Sequence, residues 1–150
     1  MNDRRPSWDE HFMTIAHMIA RMSSCDRAHV GAVIVRDRRL IAEGYNGAPA
    51  GVDNCLDVGH LMVDNHCVRT CHAEINAIAQ CARLGTACEG AVMYVTHFPC
   101  LSCMKAMINS GISSILYAED YRASELVKDF AREAGVSFSR LRVDMDRFLQ

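Results

Sequence analysis

The chain has 150 residues, half of them apolar, the size of one ordinary domain with a sizeable core. Sixteen Lys and Arg against 18 Asp and Glu leave a formal net charge of −2, which gives no electrostatic footprint for long nucleic acid. No run of about 18 apolar residues offers a membrane span, and the opening "MNDRRPSWDE" lacks the apolar core of an export signal, so the cytoplasm is the expected compartment.

In chain order, "SWDE" at Ser7–Glu10 is a capping box: a serine oxygen for the N3 amide and a glutamate that reaches back. Trp8, Phe12, Ile15, Ile19 and Met22 then recur at spacings of four and three, which predicts an amphipathic helix over residues 7–23. "HVGAVIVR" and "LIAEGYN", separated by a charged turn, read as an antiparallel strand pair. Residues 46–71 hold three of the nine glycines and little periodicity. They are expected to form a long strandless loop, of the length that tends to be functional. A helix over 72–84 is closed by Gly85, "AVMYVT" is a buried strand, and a helix over 100–110 ends at Gly111. "SILYA" is a strand, a helix over 124–134 ends at Gly135, and "VSFSRLRV" is the last strand. This alternation predicts an α/β fold with a mixed sheet and helices on both faces, in a single domain spanning 1–150.

Eight cysteines would suit a disulfide framework in a secreted domain. In a reduced compartment they read instead as small buried groups or metal ligands. Cys71, Cys81 and Cys88 lack ligand spacing and read as buried filler. Cys100 and Cys103 differ: they follow Pro99, a residue favoured at helix starts, and lie one turn apart on one helix face. The helix N-terminus favours the thiolate form that zinc requires. His72 opens the preceding helix. One imidazole and two thiolates leave a tetrahedral position open for water, as in catalytic rather than structural zinc sites. Glu74, in the first turn after His72, reads as a general acid/base and not as a ligand.

His-x-Glu with Pro-Cys-x-x-Cys is the signature of zinc nucleobase deaminases. The wider sequence resembles the deoxycytidylate (dCMP) deaminase family, including its bacterial late-competence branch. "SWDEHFM", "VGAVIV", "GYNGAPAG", "HCVRTCHAEINAIAQCARLG", "YVTHFPCLSC" and "SGISSILYAEDYR" carry the likeness. The resemblance implies a three-layer αβα sandwich with a mixed five-stranded sheet, cytidine-deaminase-like. It implies hydrolysis of dCMP to dUMP and ammonia by a zinc-bound hydroxide, supplying dUMP for thymidylate synthesis. It puts His72, Cys100 and Cys103 on the zinc ligands and Glu74 on the proton shuttle. It further implies substrate contacts from Asn46, Ala73, Thr96 and Pro99, and a nucleotide or allosteric role for the loop of Gly44, Tyr45 and Gly47. The glycines of that loop permit backbone approach to a ligand, and Asn46 offers both a donor and an acceptor. A turn-residue role for Asn-Gly is the plainer alternative.

The resemblance also implies a homo-oligomer, a hexamer in many members, and in regulated members dCTP or dTTP as effectors. Phosphate contacts are candidates by type at Arg27, Arg69, Arg122 and Lys105, with Ser23 and Ser24 after the first helix. A second, structural zinc is expected from Cys25, Cys55, His66 and Cys67. Cys25 and Cys55 match cysteines of family members that carry one, and His60 is an alternative to His66. Two other readings stay open: a tRNA adenosine deaminase, which would need a basic face, and a non-enzymatic zinc module with four closed ligands and no use for Glu74.

Overall fold

A computed structural model describes residues 4–148. Helix α1 (Trp8–Ala20) opens with the capping box: Ser7 Oγ accepts the Glu10 N–H at 3.1 Å and a Glu10 carboxylate oxygen accepts the Ser7 N–H at 2.7 Å. The helix stops short of the expected residue 23, leaving Met22 exposed on a turn. Strands β1 (Gly31–Arg36) and β2 (Arg39–Tyr45) pair antiparallel through Asp37 and Arg38. Both turn residues have positive φ, 51° and 59°, the geometry of a tight hairpin that follows strand twist.

The expected strandless loop is a finding to correct. It contains a short helix α2 (Cys55–Val58) and a hairpin of β3 (Met62–Val63) and β4 (His66–Cys67). Asp64 and Asn65 turn it at φ 47° and 62°. Two-residue strands are too short to show an alternation in sequence. Next come α3 (Ala73–Leu84), β5 (Val92–His97), α4 (Leu101–Asn109), β6 (Ser114–Glu119), α5 (Glu125–Glu133) and β7 (Ser137–Arg140). The last strand is shorter than expected because Leu141 and Val143 turn to pack against the α1 side of the sheet. A terminal turn of helix, α6 (Met145–Phe148), was not legible in the sequence.

The five main strands form one mixed sheet in the order β2-β1-β5-β6-β7. β1 is antiparallel to β2 and β5, whereas β5, β6 and β7 are parallel. One face packs Val33, Val35, Tyr94 and Ala118 against Phe12, Met13 and Ala16 of α1. The other packs Ile34, Met93, Val95 and Ile115 against α3, α4 and α5 through Ala77, Cys81, Met104, Met107, Val127 and Ala131. These are the three layers expected. Among the described residues no helix is long and apolar enough to cross a membrane.

The topology gathers one edge of the sheet into a site. The carboxyl ends of β2, β5 and β6 and the amino end of β1 meet there. In parallel α/β sheets ligands bind at such an edge.

Candidate active site

His72 is the N-cap of α3 and Cys100 the N-cap of α4, with Cys103 in the first turn of α4. Two helix starts therefore face one point. The backbone of Gly47 pairs with Cys71 in both directions, at 3.3 and 2.9 Å, which fixes the residue before His72. His72 Nδ1 lies 3.5 Å from Cys100 Sγ and 3.4 Å from Cys103 Sγ. A tetrahedral zinc with ordinary Zn–S and Zn–N bonds has an N···S edge of about 3.6 Å, so this donor set fits the ion.

The electrostatics agree. Hydrogen bonding from Cys103, aided by His72, brings the Cys100 thiol down to about 4. The same pairing with Cys100, together with burial and the nearby Glu74, pushes Cys103 up. The pair thus carries one negative charge unaided, and a dication supplies the counter-charge that lets both thiols ionise. The hydrogen bond with Cys100 raises His72.

Glu74 is buried at 4% exposure and lines a cavity of about 290 Å³ beside His72 and Cys100. Burial is the main cause of its raised pKa, which moves it toward the range useful for proton transfer. Ala73 lines the same cavity, while Thr96 and Pro99 are buried behind it. Thr96 Oγ1 accepts the Gly31 N–H at 3.1 Å and sits 2.8 Å from His97 Nδ1. Thr96 thus orients His97, which does line the cavity.

Asn46 lines the cavity, but its amide is committed to the chain: Oδ1 accepts the Val30 N–H at 2.8 Å and Nδ2 donates to Ala28 O at 2.7 Å. It holds the wall segment 28–30 in place. Gly44 serves packing and not ligand approach. A Cβ there would lie 2.3 Å from Ala73 O and 2.5 Å from Ala77 N, both backbone atoms of α3. Tyr45 is exposed, and its carbonyl accepts a hydrogen bond from Asn76.

Of the phosphate candidates, Arg27 and Arg122 line the cavity. Arg69 instead donates to Gly59 O, Ser23 Oγ is bound up with backbone carbonyls, and Ser24 and Lys105 lie away from the cavity lining. His66 joins the two arginines: an Arg122 guanidinium nitrogen is 3.2 Å from its Nδ1.

That position sets His66 apart from the cysteines it was expected to join, and His60, the alternative, lies beside them instead. Cys25, Cys55, His60 and Cys67 come together, with their ligand atoms all within 4.8 Å of one another. Cys55 and Cys67 sulfurs are 3.5 Å apart, and Cys25 Sγ is 3.6 Å from His60 Nδ1. His66 and Cys67 are neighbours on β4, and successive strand residues face opposite ways. Cys67 therefore turns to the cluster, at the margin of the cavity, and His66 turns away from the cluster into the cavity. His60 Nε2 is 2.9 Å from Asp26 Oδ1, a partner of the kind that leaves Nδ1 facing a metal. Burial raises Cys55 to about 12. In Cys67 burial also acts upward but is outweighed by hydrogen bonds from the Arg69 and Leu61 backbone, Cys55 and His60, leaving it at about 6. Cys81 and Cys88 are core residues, as expected.

Sequence reasoning passed over His97, Phe98 and Tyr121 as cavity residues. All three stand at or just after the carboxyl ends of β5 and β6, and that position was the available signal.

An open metal triad beside a buried carboxylate, at the edge of a three-layer α/β sheet, defines a zinc-dependent deaminase. A family model described as the cytidine and deoxycytidylate deaminase zinc-binding region matches residues 6–119. The chain belongs to that family. ComE operon protein 2 of Bacillus subtilis (strain 168) is 48% identical over 140 residues, covering 93% of this chain and 74% of that protein. The deoxycytidylate deaminase of Mycobacterium phage D29 is 39% identical over 128 residues, covering 77% and 98% respectively. The crystal structure of dCMP deaminase from the cyanophage S-TIM5, in complex with dCMP and dUMP, matches with a TM-score of 0.81 at 28% identity. That match covers 92% of this chain and 99% of the phage protein.

Proposed function

We propose that the chain hydrolyses dCMP to dUMP and ammonia, with zinc held by His72, Cys100 and Cys103. The carrying observation is the ligand triangle with Glu74 at its side, at one end of a cavity whose other residues include Arg27, His66 and Arg122. Zinc, when bound, supplies the Lewis acidity that makes water a nucleophile near neutral pH. Glu74 would take a proton from the water as its oxygen bonds to C4 and pass it to the ring nitrogen; it would then take the remaining proton of the new C4 hydroxyl and pass it to the amine as the C4–N bond breaks, leaving the dUMP carbonyl, ammonia and an ionised Glu74. Its burial raises its pKa and so favours holding the proton between the two transfers. Asn46 holds the 28–30 wall, and Thr96 holds His97 against it. Arg27, His66 and Arg122 meet the 5′-phosphate, a planar guanidinium being well matched to phosphate oxygens.

A second zinc at Cys25, Cys55, His60 and Cys67 belongs to the same reading. Four protein ligands with donor atoms within 4.8 Å of one another would make a closed, structural site. The assembly is a homo-oligomer, a hexamer by resemblance, supported by the apolar Leu56, Val58, Leu61, Val63 and Val68 left exposed on and around the hairpin. dCTP or dTTP acts as effector, again by resemblance, with the exposed Tyr45 as the residue of the Gly44–Gly47 loop free to meet it and Gly44 taken up by packing on α3. The compartment is the cytoplasm, in keeping with eight free cysteines.

A substrate panel tests the reading. Ammonia release from dCMP should exceed that from deoxycytidine in kcat/KM, because the nucleoside forgoes the charge-assisted contacts that the exposed Arg27, His66 and Arg122 offer a phosphate. tRNA should give none. Equal efficiency on deoxycytidine and dCMP removes the nucleotide assignment, and activity on tRNA alone replaces it with the adenosine deaminase reading.

A further inference from the structure

The four-ligand cluster and the phosphate-facing residues are interleaved in the chain. Cys25 is followed two residues later by Arg27, and His66 immediately precedes Cys67. Cys25 and Cys67 themselves line the cavity together with Arg27 and His66. The Arg27 guanidinium crosses to the hairpin, 3.3 Å from Met62 Sδ and 3.4 Å from Asn65 O. It reaches the cavity from the same hairpin that carries His66.

Within one chain the hairpin is lightly held. Its strands are two residues long, and Leu61, Met62, Val63 and Val68 are all exposed there, so the chain's own apolar core does not hold it and its side-chain ties are polar, such as Arg122 at 3.2 Å from His66 Nδ1. Among the described residues Cys67 is its one side chain in the cluster that also includes Cys25 at the end of the α1 turn and Cys55 on α2.

We propose that this cluster governs the grip on the nucleotide's phosphate: a metal held by Cys25, Cys55, His60 and Cys67 fixes the two segments that carry Arg27 and His66, so that metal retention and phosphate binding strengthen one another. The proposal rests on the second-zinc and phosphate readings above. Its physics is that of two ligands ordering the same segments. The first to bind removes the conformational freedom that the second would otherwise have to remove, and linkage makes the effect equal in both directions. Deoxycytidine, which lacks the phosphate, does not share in it.

The test uses the full chain with Glu74→Gln, so that bound dCMP is not consumed. Zinc is titrated to equilibrium against a chromogenic chelator of known affinity, and the zinc of the second cluster is identified by its absence in a Cys55→Ser, Glu74→Gln double variant. Saturating dCMP should tighten the Kd of that zinc by a factor within the usual range of coupling, about 5–150-fold, and saturating deoxycytidine should not. In the reverse direction, the Kd ratio of deoxycytidine to dCMP should fall by a similar factor in the double variant.

An equal second-site zinc Kd with and without dCMP, in a chain that holds two zincs and binds dCMP, overturns the coupling and leaves the second site standing. Equal weakening of dCMP and deoxycytidine in the double variant marks general loss of structure and also overturns it. One zinc per fully metallated chain removes the second-zinc reading, and a failure to bind dCMP removes the substrate reading; either takes the coupling with it.

Discussion

Replacing Gly44 by alanine asks how tightly the metal site depends on the seating of α3. Gly44 does not sit in the left-handed region, so alanine is permitted by the backbone. The obstacle is steric: its Cβ would meet Ala73 O at 2.3 Å and Ala77 N at 2.5 Å. Neither atom can rotate away. Carbon contacts are comfortable at about 3.5–4.0 Å, so β2 and α3 must separate by about 1 Å. Overpacking of this kind costs about 1–3 kcal/mol. At about 2.1 cal/mol/K of unfolding entropy per residue, a chain of this length loses about 3–10 °C of Tm. Because α3 begins at His72 and carries Glu74, the shift also moves a zinc ligand and the proton carrier relative to Cys100 and Cys103. A displacement near 1 Å costs on the order of 10²-fold in rate. Thermal unfolding followed by circular dichroism, together with kcat/KM on dCMP, measures both effects. A Gly44→Ala protein with unchanged Tm and full activity would refute the close seating of β2 on α3.

Glu74→Gln fills the same volume without a proton acceptor, and should lose about 10²–10⁴-fold in kcat while elemental analysis finds catalytic zinc retained; zinc lost with the carboxylate would make Glu74 a ligand. Asn46→Ala leaves the Val30 N–H without a partner and the Ala28 carbonyl with only the long 3.4 Å hydrogen bond from Ser23 Oγ. It should cost about 1–3 kcal/mol by denaturant titration and raise KM for dCMP, and unchanged stability would deny Asn46 its role in the wall. Ser7→Ala removes the N-cap oxygen and should cost about 0.5–2 kcal/mol. The backbone hydrogen bond from Ser7 lowers the Glu10 pKa. A depressed carboxylate stabilises the fold above its unfolded pKa and loses that contribution as pH falls through the folded value. The deficit of Glu10→Gln should therefore shrink below about pH 4, and a deficit constant from pH 3 to 7 would contradict the capping geometry.

The parts of the site legible in the sequence are those with local spacing. Cys100, Cys103, His72 and Glu74 each sit at a helix start, where one turn of chain fixes the geometry. The second cluster was legible in its cysteines and not in its histidine. Choosing between His60 and His66 requires knowing that residues 66 and 67 lie on a strand and so face opposite ways. His97 and Tyr121 escaped for a different reason. They come from successive parallel strands and meet edge to face, ring centroids 5.7 Å apart, only once the sheet has formed. Gly44 was visible as a required glycine, but its neighbour is a helix and not a ligand, a fact of tertiary packing alone.

The most direct test of the account is metal-dependent turnover of one substrate. Purified protein is stripped of zinc with a chelator, then returned stepwise to full metallation, and conversion of dCMP to dUMP with equimolar ammonia is recorded at each step. The account predicts no turnover in the stripped protein, restoration by zinc, and no restoration in Cys100→Ala or Cys103→Ala. Turnover that survives complete zinc removal, or a fully zinc-loaded chain that leaves dCMP unchanged, would contradict it.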